Sequence, residues 1–379
     1  MPIYLDNSAT TRPCDAAVDA AVRAMREDYF NPSALYGPAL TAARQLRECR
    51  EEILRAVHAP GGSAVVFTSG GTESDNLAIL GRAARARGKG RVLYGAGEHP
   101  AVKEACLQSG LEAAEIPYDR RGVTDLAALE DLLTEDTVLI CCMQVNNETG
   151  AVQPLKAIAE LRRQKAPQAH FHVDGVQGFL RVPFDMAAVG ADTYALSGHK
   201  IHAPKGVGAL VMGPGAHLAP RQIGGGQENA LRSGTENTPG IAALLAAIRH
   251  FPADNRLREN KLLLWQRIRE TVPVAAVNGP DPESGDAAPH ILNVSLPPVR
   301  SETMLHALEG EGIYIGMGSA CSSRRQKISA VLKAMHTPQP LAESALRFSL
   351  CPDNTPEEME QAAAAVRRQY AVLSKFVRR

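Results

Sequence analysis

The sequence predicts an α/β fold: a mostly parallel sheet wrapped by helices, followed by a smaller α+β unit. Two observations carry this. Between about residues 15 and 250, short apolar runs alternate with amphipathic helical stretches, as strands joined by covering helices do. After His250 the alternation stops, and 379 residues already exceed what one hydrophobic core usually serves.

In chain order, helical patterns at Asp15–Met25 and Ala39–Val57 precede the run Ala64-Val-Val-Phe67, read as a strand too short and apolar to be a helix. A helix over Glu73–Arg87 leads to the strand Arg91–Tyr94 and a helix over Pro100–Gln108. Next come a helix over Asp125–Leu133, the strand Val138–Met143 and a helix over Leu155–Gln164. Strands Phe171–Val173, Thr193–Ala195 and Gly208–Val211 and a helix over Pro239–His250 complete the first part. The second part holds a charged helix around Asp254–Thr271, a strand near Asn293–Leu296, a helix near Ser301–Glu309 and a last helix from Pro356. Gly310–Lys327, rich in Gly, Ser and basic residues, is expected to be a long flexible loop, and loops of that length are usually functional.

Composition narrows the function. Hydrophobic residues at 45% and charged residues at 22% fit a folded globular chain rather than a disordered or fibrous one. Lys+Arg and Asp+Glu both number 41, so no net field favours nucleic acid or membrane lipid. Met1–Asp6 lacks a secretory signal and no apolar stretch is long enough to span a bilayer, so a cytoplasmic protein is expected. Cysteines at 14, 49, 106, 141, 142, 321 and 351 are odd in number and form no Cys-x-x-Cys pair. Neither a disulfide framework nor a metal site is therefore expected, and Cys141 and Cys142 read as buried strand residues.

Three segments suggest chemistry. Thr68-Ser-Gly-Gly-Thr-Glu-Ser74 joins a strand to a helix start and offers backbone N–H groups and hydroxyls to an anion; it also reads as a loop with a Thr N-cap. Asp174 ends a buried strand, where it suits a cationic ring nitrogen or, more plainly, caps a neighbouring helix. Ser197-Gly-His-Lys200 places a lysine in a tight turn at a strand end, where desolvation favours its neutral, nucleophilic form; Lys205 is the competitor. No Gly-x-Gly-x-x-Gly or Walker motif points to a nucleotide.

Their order and spacing match fold-type I pyridoxal-phosphate enzymes. Over essentially its whole length the sequence resembles the cysteine desulfurases of the NifS/IscS type, within the class-V aminotransferase-like family. The matching segments include Tyr4-Leu-Asp-Asn-Ser-Ala-Thr-Thr11, Phe67–Ala78, Glu98-His99, Val145-Asn-Asn-Glu-Thr-Gly150, Gly224-Gly-Gly-Gln-Glu228, Arg232-Ser-Gly-Thr235, Gly318-Ser-Ala-Cys321 and Arg347-Phe-Ser349.

The resemblance implies a seven-stranded large domain over residues 13–253 and a small α+β domain from 1–12 and 254–379. It implies pyridoxal 5'-phosphate on Lys200, Asp174 at the ring nitrogen, Gln177 and Asn147 near the phenolic oxygen, and His99 against the ring and aiding proton transfer. Phosphate contacts would come from Gly71, Thr72, Ser197 and His199, with Thr235 reaching in from the second subunit of a homodimer. Arg347, otherwise read as a strand-edge surface charge, would clamp the carboxylate of L-cysteine, aided by Asn147. Cys321, on the small-residue loop beside Arg324, Arg325 and Lys327, would receive the sulfur as a persulfide. A protein acceptor in Fe-S cluster assembly or tRNA thiolation would collect it.

The sequence departs from the family pattern at Ser322-Ser323 and Ile328-Ser329 and at Gly175, where a slightly larger residue is usual. Selenocysteine lyase and aminotransferase are the neighbouring activities; Cys321 speaks against the transaminase. A non-catalytic scaffold would have no use for Lys200, Asp174, His99, Cys321 and Arg347 together.

Overall fold

The computed structural model describes residues 2–253, 256–317 and 328–376. Cys321 and the basic residues after it lie outside the described residues, as do Asp254 and Asn255. The strands are β1 (Ile3–Tyr4), β2 (Ala64–Thr68), β3 (Arg91–Gly95), β4 (Glu112–Ile116), β5 (Thr137–Met143), β6 (His170–Asp174), β7 (Thr193–Ser197), β8 (Gly208–Met212), β9 (Ala276–Val277), β10 (Ile291–Ser295), β11 (Ile313–Tyr314) and β12 (Ala345–Ser349).

The central sheet has seven strands in the order β2-β8-β7-β6-β5-β3-β4. Only β8 runs antiparallel to its neighbours, so the others all send their carboxyl ends to one edge. The apolar runs look continuous because both faces are buried. Phe171, Val173, Tyr194 and Leu196 pack on one face with the helices Asp15–Arg26, Gly37–Ala56 and Thr238–His250. Alternate residues such as Val66, Ala195 and Leu210, and Val92, Leu139 and Cys141, join separate clusters with helices Gly71–Ala86 and Pro100–Leu107. This period of two is what a pleated strand imposes.

A second core gathers Ile3 and Leu5 with Leu264, Ile268, Val294, Phe348 and Met359. Around it lie the antiparallel sheet β12-β10-β9, the helices Leu257–Thr271 and Pro356–Leu373, and β1 paired in parallel with β11.

Several expectations need correction. β4 was not anticipated: its sequence Glu-Ala-Ala-Glu-Ile lies at the sheet edge with its glutamates exposed. The expected loop from Gly310 contains β11 and a bridge from Gly316 to Arg347. Arg347 is no surface charge: it stands in β12 at 2% exposure.

Candidate active site

The carboxyl ends of β2, β5, β6 and β7 open onto a cavity of about 240 Å³, where ligands of open α/β sheets sit. Of the residues singled out in the sequence, Gly71, Thr72, His99, Asn147, Asp174, Gln177, Ser197, His199, Lys200 and Arg347 all line it. Thr235 is exposed and does not line this cavity, and Cys321 lies outside the described residues.

An anion cradle forms first. Gly70, with φ 154°, is the N-cap of the 16-residue helix Gly71–Ala86, and no side chain among the described residues caps the helix's first amides. The anticipated Thr cap is not made; Thr68 Oγ1 meets Ser74 Oγ at 2.8 Å instead. Free N–H groups and the positive end of the helix dipole therefore face the cavity. A Cβ on Gly71 would fall 2.6 Å from Val176 Cγ2, so a larger residue there would have to displace Val176 in the turn after β6. The Glu73–Arg232 pair at 2.7 Å and the two-pronged Arg50–Glu228 contact hold the turn from behind, which gives the Gly224–Glu228 and Arg232 segments a structural task.

Lys200 follows β7 in a short 3₁₀ turn, and its Nζ donates to the Ser8 and Ala9 carbonyls, the latter at 2.9 Å. Burial, then repulsion from Arg347 and Arg181, pulls its pKa down to about 7. Lys205, the competitor, is exposed and does not line the cavity.

Asp174, at the end of β6, accepts the Val176 amide on Oδ1 at 2.9 Å, and its Oδ2 has no partner among the described residues. It caps a local turn rather than a neighbouring helix. Burial raises its pKa, while the Val176 amide, His99 and Lys200 pull the other way. His99 is both the N-cap of Pro100–Leu107, accepting the Ala101 amide on Nδ1 at 3.1 Å, and a cavity residue. That bond places the proton of the neutral ring on Nε2, and burial lowers the pKa to favour this form. His199 is neutral too: burial, then Lys200, Lys205 and Arg181, takes it to about 4.

Gln177 donates to the Ser8 carbonyl at 3.0 Å and accepts from Arg181, while the Asn147 carbonyl accepts Arg347 Nη1 at 3.0 Å. Arg347 Nη2 pairs with Asp6 Oδ1 at 2.6 Å, and its buried Nε has no partner among the described residues. A Cβ on Gly316 would lie 2.7 Å from that Asp6 oxygen and 2.8 Å from Arg347 Nη2.

Sequence reading missed Asp6, Ser8, Asp75 and Arg181. Asp75 lines the cavity and contacts His172 Nε2 at 3.2 Å; burial, then Asp174 and Glu98, pushes its carboxyl well above the usual range. Its signal was long-range, since an acid near a helix N-terminus ordinarily reads as a solvated dipole partner. The departure at Gly175 also finds a reason. A Cβ there would fall 1.9 Å from Cζ of Tyr194, whose hydroxyl donates to Gln144 Oε1 at 2.7 Å.

With this geometry in view, the Aminotransferase class-V family pattern matches residues 3–362. This chain belongs to that family. It is 36% identical to the cysteine desulfurase IscS of Methanosarcina thermophila, covering 96% of this chain and 91% of the relative. A solved NifS-like protein superposes with a TM-score of 0.88 at 31% identity, over 98% of this chain and all of that one. SspA, solved in complex with cysteine, gives 0.81 at 28% identity, over 93% of this chain and all of that one.

Proposed function

We propose that the chain is a pyridoxal-phosphate-dependent cysteine desulfurase that converts L-cysteine to L-alanine and leaves the sulfur as a persulfide on Cys321. The observation that carries this is Lys200, half-buried with its pKa near 7, in one cavity with His99, Asp174 and Arg347. The names of the similar proteins support the substrate: one is a cysteine desulfurase and another was solved with cysteine.

The residues present fit the cofactor. The uncapped amides at Gly71 and Thr72, with Ser197 and neutral His199, would hold its phosphate. Asp174 is a buried carboxylate short of a cation, and a protonated ring nitrogen is what it lacks. Gln177 and Asn147 would hold the phenolic oxygen, His99 would lie against the ring, and Lys200 would anchor it. When bound, pyridoxal phosphate supplies an electron sink for charge developing at the substrate α-carbon.

The chain's own residues do the rest. Lys200, part neutral at physiological pH, takes and returns the α-proton. His99 holds a second transferable proton on Nε2. Arg347 binds the substrate carboxylate, which must share the guanidinium with Asp6. Cys321 thiolate attacks the sulfur of bound cysteine, the carbon–sulfur pair stays with the carbon fragment, and that fragment is protonated and leaves as alanine. The persulfide passes to an acceptor protein of Fe-S cluster assembly or tRNA thiolation.

We take 13–253 as the cofactor-holding domain and 1–12 with 254–379 as the domain carrying Cys321; the two separate cores support the division. A homodimer would complete the site: Thr235 is exposed and free to serve a second subunit, and Leu35 and Ile223 stand exposed at 99% and 89%. A cytoplasmic location keeps the thiols reduced. The test is one turnover with L-cysteine and no reductant, followed by mass spectrometry of the Cys321 peptide and an alanine assay. Added sulfur on Cys321 with matching alanine is expected. Bound cofactor without either product would refute the substrate and turn attention to selenocysteine or transamination.

A further inference from the structure

Behind the Lys200 turn, three residues from two distant segments converge. One ligand atom each of His202, Cys351 and Asp353 lies within 4.8 Å of the other two, the one such group among the described residues. We propose that this trio is a metal site for a zinc-like divalent cation, bridging the turn that carries Lys200 and the strand end that carries Arg347.

The ligand chemistry selects the ion. A thiolate, an imidazole and a carboxylate suit Zn²⁺, and Cys and Asp together bring the two negative charges that neutralise it. Hard cations such as Mg²⁺ and Ca²⁺ would find one oxygen ligand where they need several. His202 and Cys351 are buried and Asp353 is exposed, so the fourth tetrahedral position faces solvent and takes water.

The surroundings are those of a ligand set. His202 Nδ1 donates to the Arg12 carbonyl at 2.9 Å, which leaves Nε2 unprotonated for a metal; a ligating histidine is usually held this way. Its backbone sits in the left-handed region at φ 66°, fixed by its N–H to Thr11 Oγ1 and its carbonyl to the Cys14 amide. Cys351 is held by a turn in which its amide donates to Asn354 Oδ1 and its carbonyl accepts the Asn354 amide. The Asp353 backbone N–H lies against the sulfur and favours its thiolate, as does Arg181 nearby. Without a metal, burial leaves Cys351 a thiol, its pKa up at about 11, unsuited to relay sulfur. Metal uptake replaces the thiol proton, which leaves to solvent.

No Cys-x-x-Cys spacing announces the site, because its ligands come from either end of the chain's catalytic segments. His202 is two residues past Lys200, and Cys351 is four past Arg347. A bound ion ties the cofactor turn to the substrate strand, and the trio takes no part in the proposed sulfur transfer.

The test uses cofactor-loaded protein carrying Cys321→Ala, which removes the loop thiol as a rival ligand. Co²⁺ is titrated in, read by its ligand-field absorption beyond the cofactor's band and by elemental analysis after gel filtration. One Co²⁺ per chain is expected, displaced by Zn²⁺. Cys351→Ala added to that background should abolish binding. Asp353→Asn should weaken it by at least the tenfold or so that even an outer-shell loss costs. Asp353 is exposed, so its variant carries the test if Cys351→Ala misfolds. No binding, or binding unchanged by Asp353→Asn or by a folded Cys351→Ala variant, overturns the proposal.

Discussion

The two walls of the cavity differ in how their charges are kept. On the wall proposed to hold the cofactor, Asp174 Oδ2 and the first amides at Gly71 have no partner among the described residues, and burial works against the Lys200 ammonium even though it donates to two carbonyls. On the substrate wall Arg347 is already bound to Asp6 and to the Asn147 carbonyl. A ligand that brings an anion and a cation relieves the first wall, whereas a substrate carboxylate must exchange into the second. Cofactor affinity should therefore be high and substrate affinity moderate, each set by its own wall.

The comparison breaks most sharply at Lys200. Lys200→Ala should lower turnover of L-cysteine about a thousandfold or more, the upper range for losing a positioned acid–base group. It should also abolish the visible band of covalently held pyridoxal. Steady-state kinetics with an absorption spectrum checks both, and retained turnover would move the cofactor's anchor elsewhere.

On the other wall, Arg347→Lys keeps the charge but loses the fork. A rise in KM for L-cysteine of about tenfold to a hundredfold is expected, the worth of a charge-assisted hydrogen bond, with cofactor content unchanged. A proportional loss of cofactor would merge the two walls into one.

Asp6→Asn sharpens the contrast. Removing the competing carboxylate should lower KM by about two- to fivefold, in line with a partly screened ion pair, while lowering the melting temperature because Arg347 loses its partner. Kinetics and thermal melts of one preparation would show substrate affinity rising as stability falls. A rise in KM alongside the lower melting temperature would mean that Asp6 serves the substrate directly.

The smallest effect is one of pH. Lys200 titrates near 7 in the folded chain and at its ordinary 10.5 when unfolded, so between these values the unfolded state binds more protons. Stability of the cofactor-free protein should rise with pH across that window, by at most about 1.4 kcal/mol per unit from this group. Below 7 the cost of the buried ammonium is fully present. Denaturant melts across the window should lose this slope in Lys200→Met; an identical slope would show that the ammonium is well solvated.

Much of the cofactor wall was legible because it is local. β2, β5, β6 and β7 are buried runs ended by polar turns, and sequence placed them to within about two residues. β4 escaped because an edge strand can expose glutamates. The Arg347 wall was harder: β12 hides an arginine in a run that local reading assigns to the surface, and only the family resemblance implied a role for it. Asp75 and Asp6 escaped both routes, since each depends on a partner far along the chain, His172 and Arg347.

The segment from Ile3 to Thr11 touches nearly everything that matters. Its Ser8 and Ala9 carbonyls hold Lys200, Thr10 and Thr11 contact His199, Asp6 meets Arg347, and Ile3 and Tyr4 pair with β11. These residues leave the ribosome before any of those partners has been made. His199 and Lys200 follow first, but Arg347 emerges only much later. The reactive centre is thus assembled as a late event in the life of the nascent chain, and a half-made protein has no complete pocket in which to take up cysteine.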